Sequence, residues 1–342
     1  MIEITQKQIM HDWPSEYNVP LVSIRCITYN HEPYIAQTLD GFLMQKTNFP
    51  FEIIVHDDAS TDKTADIIRI YEKKYPQIVK PIYEIENQYS KRDGSLSRIV
   101  DAAVRGKYIA LCEGDDFWID ENKLQKQVDF LEVNDDYGLC YTNFKIQKTT
   151  NELLEKQLKK EYQNFNGPNK LKEWLSCTPY VGPMTWLIRK SLWVDYRKFS
   201  FSSVDGTYVA FTYFLSKTRI KCFKNDETAV YRILAESASH SKNIKNAYNR
   251  KKSLFSLQKK LIRIFLSTKD AEEIYPLICR KYYNRNLRLI ATFSDVTEIR
   301  VAFHYVDNKI QWLFFAVLAI PPISNLFRWL WQKRVDFAFH KS

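Results

Sequence analysis

The amino-acid sequence predicts an α/β protein, a mostly parallel sheet flanked by helices and followed by a C-terminal helical extension. Three observations predict it. Strand-length runs of β-branched and apolar residues alternate with amphipathic stretches over the first 145 or so positions. Two of those runs end in acidic clusters. Beyond Lys242 the strand signals stop and helical periodicity takes over.

The first 20 residues lack strong periodicity and read as an N-terminal arm. LVSIRCIT (Leu21–Thr28) reads as the first strand. Asn30 and Pro33 then fit the start of a helix whose apolar side is Tyr34, Ile35, Leu39, Phe42 and Leu43. FEIIVHDD (Phe51–Asp58) is the second strand, and Ser60 and Thr61 precede a helix running to Tyr75. Ile78–Glu84 is a third strand, Leu96–Val104 a helix and Lys107–Glu113 a fourth strand. Asn122–Val133 is the next helix, followed by a strand near Leu139–Phe144. The polar stretch Gln147–Asn169 reads as loop plus a charged helix. Met184–Ile188 reads as a strand, Tyr208–Leu215 as a helix, and Ile220–Phe223 and Thr228–Tyr231 as two short strands. The divisions are 1–20 as arm, 21–117 and 118–241 as two parts of one α/β domain, and 242–342 as a basic amphipathic helical extension.

Composition narrows the function. With 342 residues, 45% hydrophobic and 26% charged, the chain has room for a full core, which excludes a disordered, collagenous or small disulfide-stapled protein. Only 8 glycines occur, and no Gly-rich phosphate loop is among them. The net charge of +10 is uneven: residues 242–342 carry +12 and the rest −2. A basic end of this kind suits a solvated surface, a nucleic-acid patch or an anionic lipid surface. No basic motif of a known nucleic-acid reader occurs, so nucleic acid is not an expected partner. Cys26, Cys112, Cys140, Cys177, Cys222 and Cys279 form no CxxC pair, and several lie in apolar runs, which predicts reduced thiols. MIEITQKQIMHDW has no positive segment followed by an apolar one, so the expected compartment is the cytosol.

In open parallel sheets the site lies beyond the carboxyl ends of the strands. The second strand ends in Asp57-Asp58, and the fourth leads into Glu113-Gly114-Asp115-Asp116, so both clusters face one crevice. A solvated turn with helix caps is the plainer reading of such carboxylates, and it suffices for Asp62 and Asp120. A close carboxylate pair is also how Mg²⁺ or Mn²⁺ is held when a charged substrate completes the shell, and such an ion neutralises a diphosphate leaving group.

The segments ITYNHEPYI, IIVHDDASTDKT and GKYIALCEGDDFW, in that order and at that spacing, resemble the nucleotide-sugar half of family 2 glycosyltransferases over roughly residues 20–145. The resemblance is to bacterial enzymes that build capsule, lipopolysaccharide and similar surface glycans. It implies the GT-A fold and an inverting, metal-dependent transfer from a nucleotide-sugar donor, UDP-linked in most relatives, to a hydroxyl of a glycan or lipid-linked glycan. Residue by residue, it implies that Asp58 accepts a hydrogen bond from the base, while Tyr29 and the backbone of Ile27 line the base and ribose pocket. Asp116 would be the direct ligand of Mn²⁺ or Mg²⁺, and Asp115 would contact ribose or metal-bound water. Glu113 stands where relatives often have Asp and is a further candidate. Arg98 and Lys91 stand where relatives place basic residues near the diphosphate, with surface charge as the alternative for each.

A base is also needed, since the acceptor hydroxyl must lose its proton. The resemblance implies an Asp before a helix in the second half; SSVDGTYVAF offers Asp205, with an N-cap as its other reading. Asp195 and Asp226 are weaker candidates. Relatives often carry YRxH after the last strand. Here YRILAESASHS keeps Tyr231 and Arg232, has Leu234 in place of the His, and offers His240 further on. The aromatic stretch Trp174–Trp193, with Tyr180 and Trp186, would border the acceptor site or form core.

In KKSLFSLQKKLIRIFL (251–266), Leu254, Leu257, Leu261, Ile264 and Phe265 make one apolar side and Lys251, Lys252, Lys259, Lys260 and Arg263 gather elsewhere. Trp312–Ile320 is too short to span a bilayer. The end therefore reads either as a peripheral dock on the inner face of the membrane, next to a lipid-linked acceptor, or as buried helices closing the domain. Two other functions share these features: a non-catalytic nucleotide-sugar or glycan binder, and a sugar nucleotidyltransferase. The latter needs a Gly-rich loop where this chain has Tyr29-Asn30-His31.

Overall fold

A computed structural model describes residues 3–16, 19–148, 153–154, 165–177, 179–199, 205–234, 243–293 and 296–305. Two compact units are present. The first comprises Met1–Lys170, Pro179–Ser202 and Thr207–Ala235; the second comprises Leu171–Thr178, Ser203–Gly206 and Glu236–Ser342.

The first unit is built on a nine-stranded sheet. β1 (Val22–Thr28), β2 (Phe51–Asp57), β3 (Val79–Tyr83) and β4 (Tyr108–Leu111) are parallel in the order β3-β2-β1-β4. β1 and β2 are almost wholly buried, as expected for strands covered by helices on both faces. The intervening helices are α2 (Ile35–Leu43), α3 (Thr64–Lys74) and α4 (Ser95–Ala103). This half follows the sequence expectation closely. Beyond β4 the sheet becomes mixed. β8 (Leu187–Arg189) runs antiparallel to both β4 and β6 (Tyr137–Gln147), β6 pairs parallel with β9 (Arg219–Arg232), and β9 pairs antiparallel with β5 (Phe117–Trp118). The two short strands expected near residues 220–231 form the single strand β9, whose register against β6 shifts at Thr142 and Asn143. A two-residue strand, β7 (Leu153–Leu154), pairs with β6; most of the charged helix expected near Gln147–Asn169 lies outside the described residues.

The arm is more ordered than its sequence suggests. Thr5 and Gln8 form a capping box on the short helix α1 (Gln6–Ile9). The Tyr75 hydroxyl donates to the Ile4 carbonyl at 2.8 Å, the Trp13 indole donates to Thr47 at 3.0 Å, and Trp13 meets Phe51 edge to face. α5 (Lys123–Glu132), α7 (Lys190–Lys198) and α8 (Gly206–Lys217) are the remaining helices that precede or follow these strands.

The second unit is helical. It contains α6 (Leu171–Cys177), α9 (Ile244–Phe265), α10 (Thr268–Phe293) and α11 (Val296–Phe303). α9 packs against α6 and α10. Its apolar residues Tyr248, Phe255, Leu257, Leu261 and Ile262 are buried, and Phe255 stacks on Tyr282 of α10 at 4.0 Å. The apolar side foreseen for residues 251–266 is thus largely occupied by neighbouring helices, whereas Ile264 is exposed. Among the described residues no helix is long and apolar enough to cross a membrane. Trp312–Ile320 lies outside the described residues. All six cysteines are free thiols, four of them buried.

Candidate active site

The site is framed by the loops that leave the carboxyl ends of β1, β2 and β4. The first two loops are tied directly to each other. Asn30 and Ala59 adopt left-handed backbone, with φ of 53° and 62°. The Asn30 amide donates to Ser60, the Thr61 amide to the Asn30 side chain, the Glu32 amide to Asp62 and the His31 amide to Thr64, all at 2.8–3.0 Å. Asp62 also accepts from the Thr64 amide, and Asp120 accepts from the Asn122 amide and pairs with Lys126, so both carboxylates serve turns.

The acidic loop after β4 fits beneath this frame. The Gly114 amide donates to the Ile27 carbonyl at 2.8 Å. A Cβ on Gly114 would stand 2.5 Å from the Thr28 hydroxyl oxygen and 2.9 Å from His31 Nδ1, so this position has room only for glycine. Thr38 of α2 donates its hydroxyl to the carbonyls of Gly114, at 2.9 Å, and Asp116, at 2.7 Å. Hydrogen bonds to buried carbonyls fix the loop backbone because leaving those groups unpaired would be costly.

Asp116 is buried, and its Oδ1 accepts the backbone amide of Arg232 at 2.9 Å. Burial and the neighbouring Asp115 push its carboxyl well above the usual carboxylate range. Asp115 and Glu113 are half-buried. Burial raises the Glu113 carboxyl to about 7, opposed by the Arg25 guanidinium. Arg232 sits between them and the second half of the sheet. Its guanidinium donates to the Asp115 carbonyl and to the side chains of Gln37 and Gln147, and lies 4.2 Å from the Phe117 ring centroid and 5.1 Å from that of Tyr34. It is therefore a structural cation of the acidic loop. The sequence placed Arg232 among secondary candidates; Gln37, Thr38 and Gln147 carried no signal in the sequence.

Below the loop, Trp118 donates its indole N–H to the Met184 carbonyl at 2.8 Å. Lys123 is fully buried, with Nζ 4.2 Å from the Trp118 ring and 2.7 Å from Gln127 Oε1. Burial lowers its ammonium to about 7.

The other predicted residues fall as follows. Tyr29 is 43% exposed and Ile27 is half-buried, its carbonyl taken by Gly114. Asp58 is buried, and its two oxygens accept the backbone amides of Gln88, at 2.7 Å, and Tyr89, at 3.0 Å. It therefore anchors the 84–91 segment. Arg98, on α4, is exposed and donates to the Asp93 carbonyl at 2.7 Å, and Lys91 pairs with Glu86, so both have surface partners. Trp186 is 1% exposed and packed on Phe211 and Phe214, which matches the core alternative for this residue. Tyr180 is the exposed aromatic of that stretch, set against Phe144 and Tyr231. Asp195 bonds the Tyr213 hydroxyl and Asp226 pairs with Lys126. Asp205 directly precedes α8 and pairs with Arg250 of α9 at 3.8 Å. His240 lies outside the described residues.

The donor set suits a hard divalent cation. It is all oxygen, and the Asp115 carboxylate has no hydrogen-bond partner among the described residues. No cluster of three His, Cys, Asp or Glu capable of holding a metal occurs among the described residues. Mg²⁺ commonly takes one or two carboxylates and completes its shell with substrate phosphate and water, so two adjacent aspartates fit.

Comparison with known proteins agrees with this geometry. The model of the family "Glycosyl transferase family 2" matches residues 23–195. An uncharacterised protein of Mycobacterium tuberculosis is 46% identical over 122 residues, covering 35% of this chain and 34% of that protein. The Escherichia coli UDP-Glc:alpha-D-GlcNAc-diphosphoundecaprenol beta-1,3-glucosyltransferase WfaP is 34% identical over 129 residues, covering 37% of this chain and 47% of WfaP. The matched stretch thus spans between a third and a half of these relatives. The crystal structure of S. aureus TarS 1-349 in complex with UDP-GlcNAc superposes with a TM-score of 0.60 over 91% of each chain, at 15% identity, which establishes a shared fold.

Proposed function

Because the chain belongs to glycosyltransferase family 2, we propose that it moves a sugar from a UDP-sugar to a hydroxyl of a glycan or lipid-linked glycan in bacterial surface-polysaccharide synthesis, with inversion and with Mn²⁺ or Mg²⁺. One observation carries this reading: Asp115 and Asp116 are held just beyond the carboxyl end of β4 by Gly114, Thr38 and Arg232, with the half-buried Asp115 carboxylate unpaired among the described residues. The UDP donors named for WfaP and for the TarS complex support the choice of nucleotide.

In this reading Asp116 and Asp115 hold the divalent cation, which when bound offsets the charge of the departing diphosphate. Arg232 keeps the loop in place before substrate arrives, so no reorganisation is needed at the moment of reaction. Tyr29 offers an exposed ring to the base, and Asp58 shapes the opposite wall by fixing Gln88 and Tyr89. Asp205 takes the acceptor proton as general base. Peripheral attachment to an anionic membrane would rest on the charge of the helical unit, since the apolar side of α9 is largely covered.

The test is Asp116→Asn, assayed for sugar transfer and for hydrolysis of UDP-sugars. Turnover should fall by about 10²–10³-fold with the melting temperature unchanged. Transfer at the parental rate by the folded variant would refute the assignment.

A further inference from the structure

The helical unit contains a cavity of about 330 Å³ that plays no part in the chemistry above. Ser176 of α6, Lys251, Leu254, Phe255 and Gln258 of α9, and Ile278, Lys281, Tyr282, Arg285 and Asn286 of α10 line it. Its volume is within the range of small-molecule sites.

The charge around it is one-sided. Among the described residues Lys251, Lys281 and Arg285 line the cavity, and no Asp or Glu does. Some cations of the same unit have acidic partners, Lys172 with Asp270 and Glu273, Lys252 with Glu298, and Arg250 with Asp205, while Lys259 and Arg263 lie over aromatic rings. Among the described residues Lys251 and Arg285 have no such partner, and Lys281 reaches only the Ser176 carbonyl, at 3.5 Å. Three cations facing one small space repel one another, and that repulsion is relieved when an anion enters. The complementary wall is apolar: Leu254 and Ile278 stand beside Phe255 and Tyr282, whose rings stack at 4.0 Å with an interplanar angle of 5°. Gln258 and Asn286 are buried and held in place, their amide groups donating to the carbonyls of Leu175 and Tyr282.

We propose that this cavity binds a phosphate group carried on an apolar body, with Lys251, Lys281 and Arg285 on the phosphate oxygens and the Phe255–Tyr282 pair against the apolar part. Arg285 supplies a planar fork that can bond two oxygens at once, and the lysines act as point charges. The inference does not depend on the donor site: it uses none of its residues and needs no divalent ion.

The test uses the full chain in EDTA, so that phosphate bound through a divalent ion does not contribute. Three probes are titrated by calorimetry: dihexanoyl phosphatidate below its micellar concentration, uncharged dihexanoylglycerol, and sodium pyrophosphate. Phosphatidate should bind, with affinity falling as salt rises, and Lys281→Gln/Arg285→Gln should weaken it at least tenfold. Dihexanoylglycerol should not bind measurably. Stronger binding of phosphatidate than of pyrophosphate would identify a lipid phosphate as the ligand. Tight binding of pyrophosphate alone would overturn the apolar half of the proposal. Absence of binding by either phosphate compound, or equal affinity in the folded double variant, would overturn it altogether. Should that variant not fold, the parent is acetylated with and without phosphatidate. Protection of Lys251 and Lys281, with Lys260 unprotected, supports the site, and equal labelling of all three refutes it. Asp116→Asn should bind phosphatidate like the parent, which separates failure of this site from failure of the donor-site reading.

Discussion

The acidic loop of the α/β unit and the basic cavity of the helical unit present opposite solutions to holding charge. In the first, Asp116 is buried and fixed by the Arg232 amide, while the Arg232 guanidinium bonds Gln37, Gln147 and the Asp115 carbonyl. The loop backbone is braced, and in the proposed reading its carboxylates take a divalent cation before they meet a diphosphate. In the second, Lys251, Lys281 and Arg285 line a cavity without a carboxylate among its described residues. The difference shows that the net charge of +10 hides two regions of opposite local charge. In the two proposals, the negatively charged site takes phosphate through a metal and the basic cavity takes it directly.

The largest expected effect concerns Asp205, whose partner Arg250 makes it a compensated charge in the otherwise basic helical unit. Asp205→Asn should lower kcat by about 10²–10⁴-fold while leaving donor affinity within twofold. Equal losses in donor affinity and kcat, measured by calorimetry and steady-state kinetics, would make it a binding or capping residue. Next in size is Arg232→Gln. Removing the cation that braces the acidic loop should reduce turnover by about 10²-fold, and Arg232→Lys should not restore it, because an ammonium cannot span Gln37, Gln147 and the Asp115 carbonyl together. Restoration by lysine would mean that only the charge matters.

Much of this was legible in the sequence. The runs ending at Thr28, Asp57 and Leu111 are strands because β-branched and apolar residues suit a buried parallel sheet. The rule that ligands bind beyond the carboxyl ends of such strands then brought Asp58 and Asp116 to one crevice. What the sequence did not disclose depends on contacts between distant segments. Arg232 lies 116 positions from Asp116, and its grip on the loop has no local pattern. Trp186 reads from sequence as either acceptor border or core, because aromatic content does not say what a ring packs on; it packs on Phe211 and Phe214. Asp58 looks like a free ligand in HDDAS, yet the amides of Gln88 and Tyr89, 30 and 31 residues away, engage both its oxygens. The basic end reads from sequence as either a membrane dock or a buried helix, and α10 covers much of the apolar side of α9. Hydrophobic periodicity marks a face to be buried and leaves the partner unnamed.

Two smaller effects sharpen the contrast between braced and unbraced regions. Gly114→Ala should destabilise the protein by about 1–3 kcal/mol, since its Cβ would meet the Thr28 side chain at 2.5 Å and 2.6 Å. A melting temperature within a degree of the parent's would show that the loop can yield. Lys123→Met tests the support under Trp118. With the Lys123 ammonium lowered to about 7 by burial, the unfolded chain binds the extra proton between pH 7 and the ordinary lysine range. The contribution of this group therefore makes the parent more stable as pH rises from 7 toward 10 and is flat below 7. The variant should lose that part of the slope in denaturant melts, and an unchanged slope would show that Lys123 keeps its proton in the fold.

The central claim, that the acidic loop binds its nucleotide through a divalent ion, is tested most directly by measuring UDP affinity calorimetrically with Mn²⁺ and then with EDTA, on the parent and on Asp116→Asn. The predicted result is at least tenfold tighter binding with Mn²⁺ for the parent and no metal enhancement for the variant. Equal UDP affinity in Mn²⁺ and EDTA for the parent, or an undiminished Mn²⁺ effect in the variant, would contradict it.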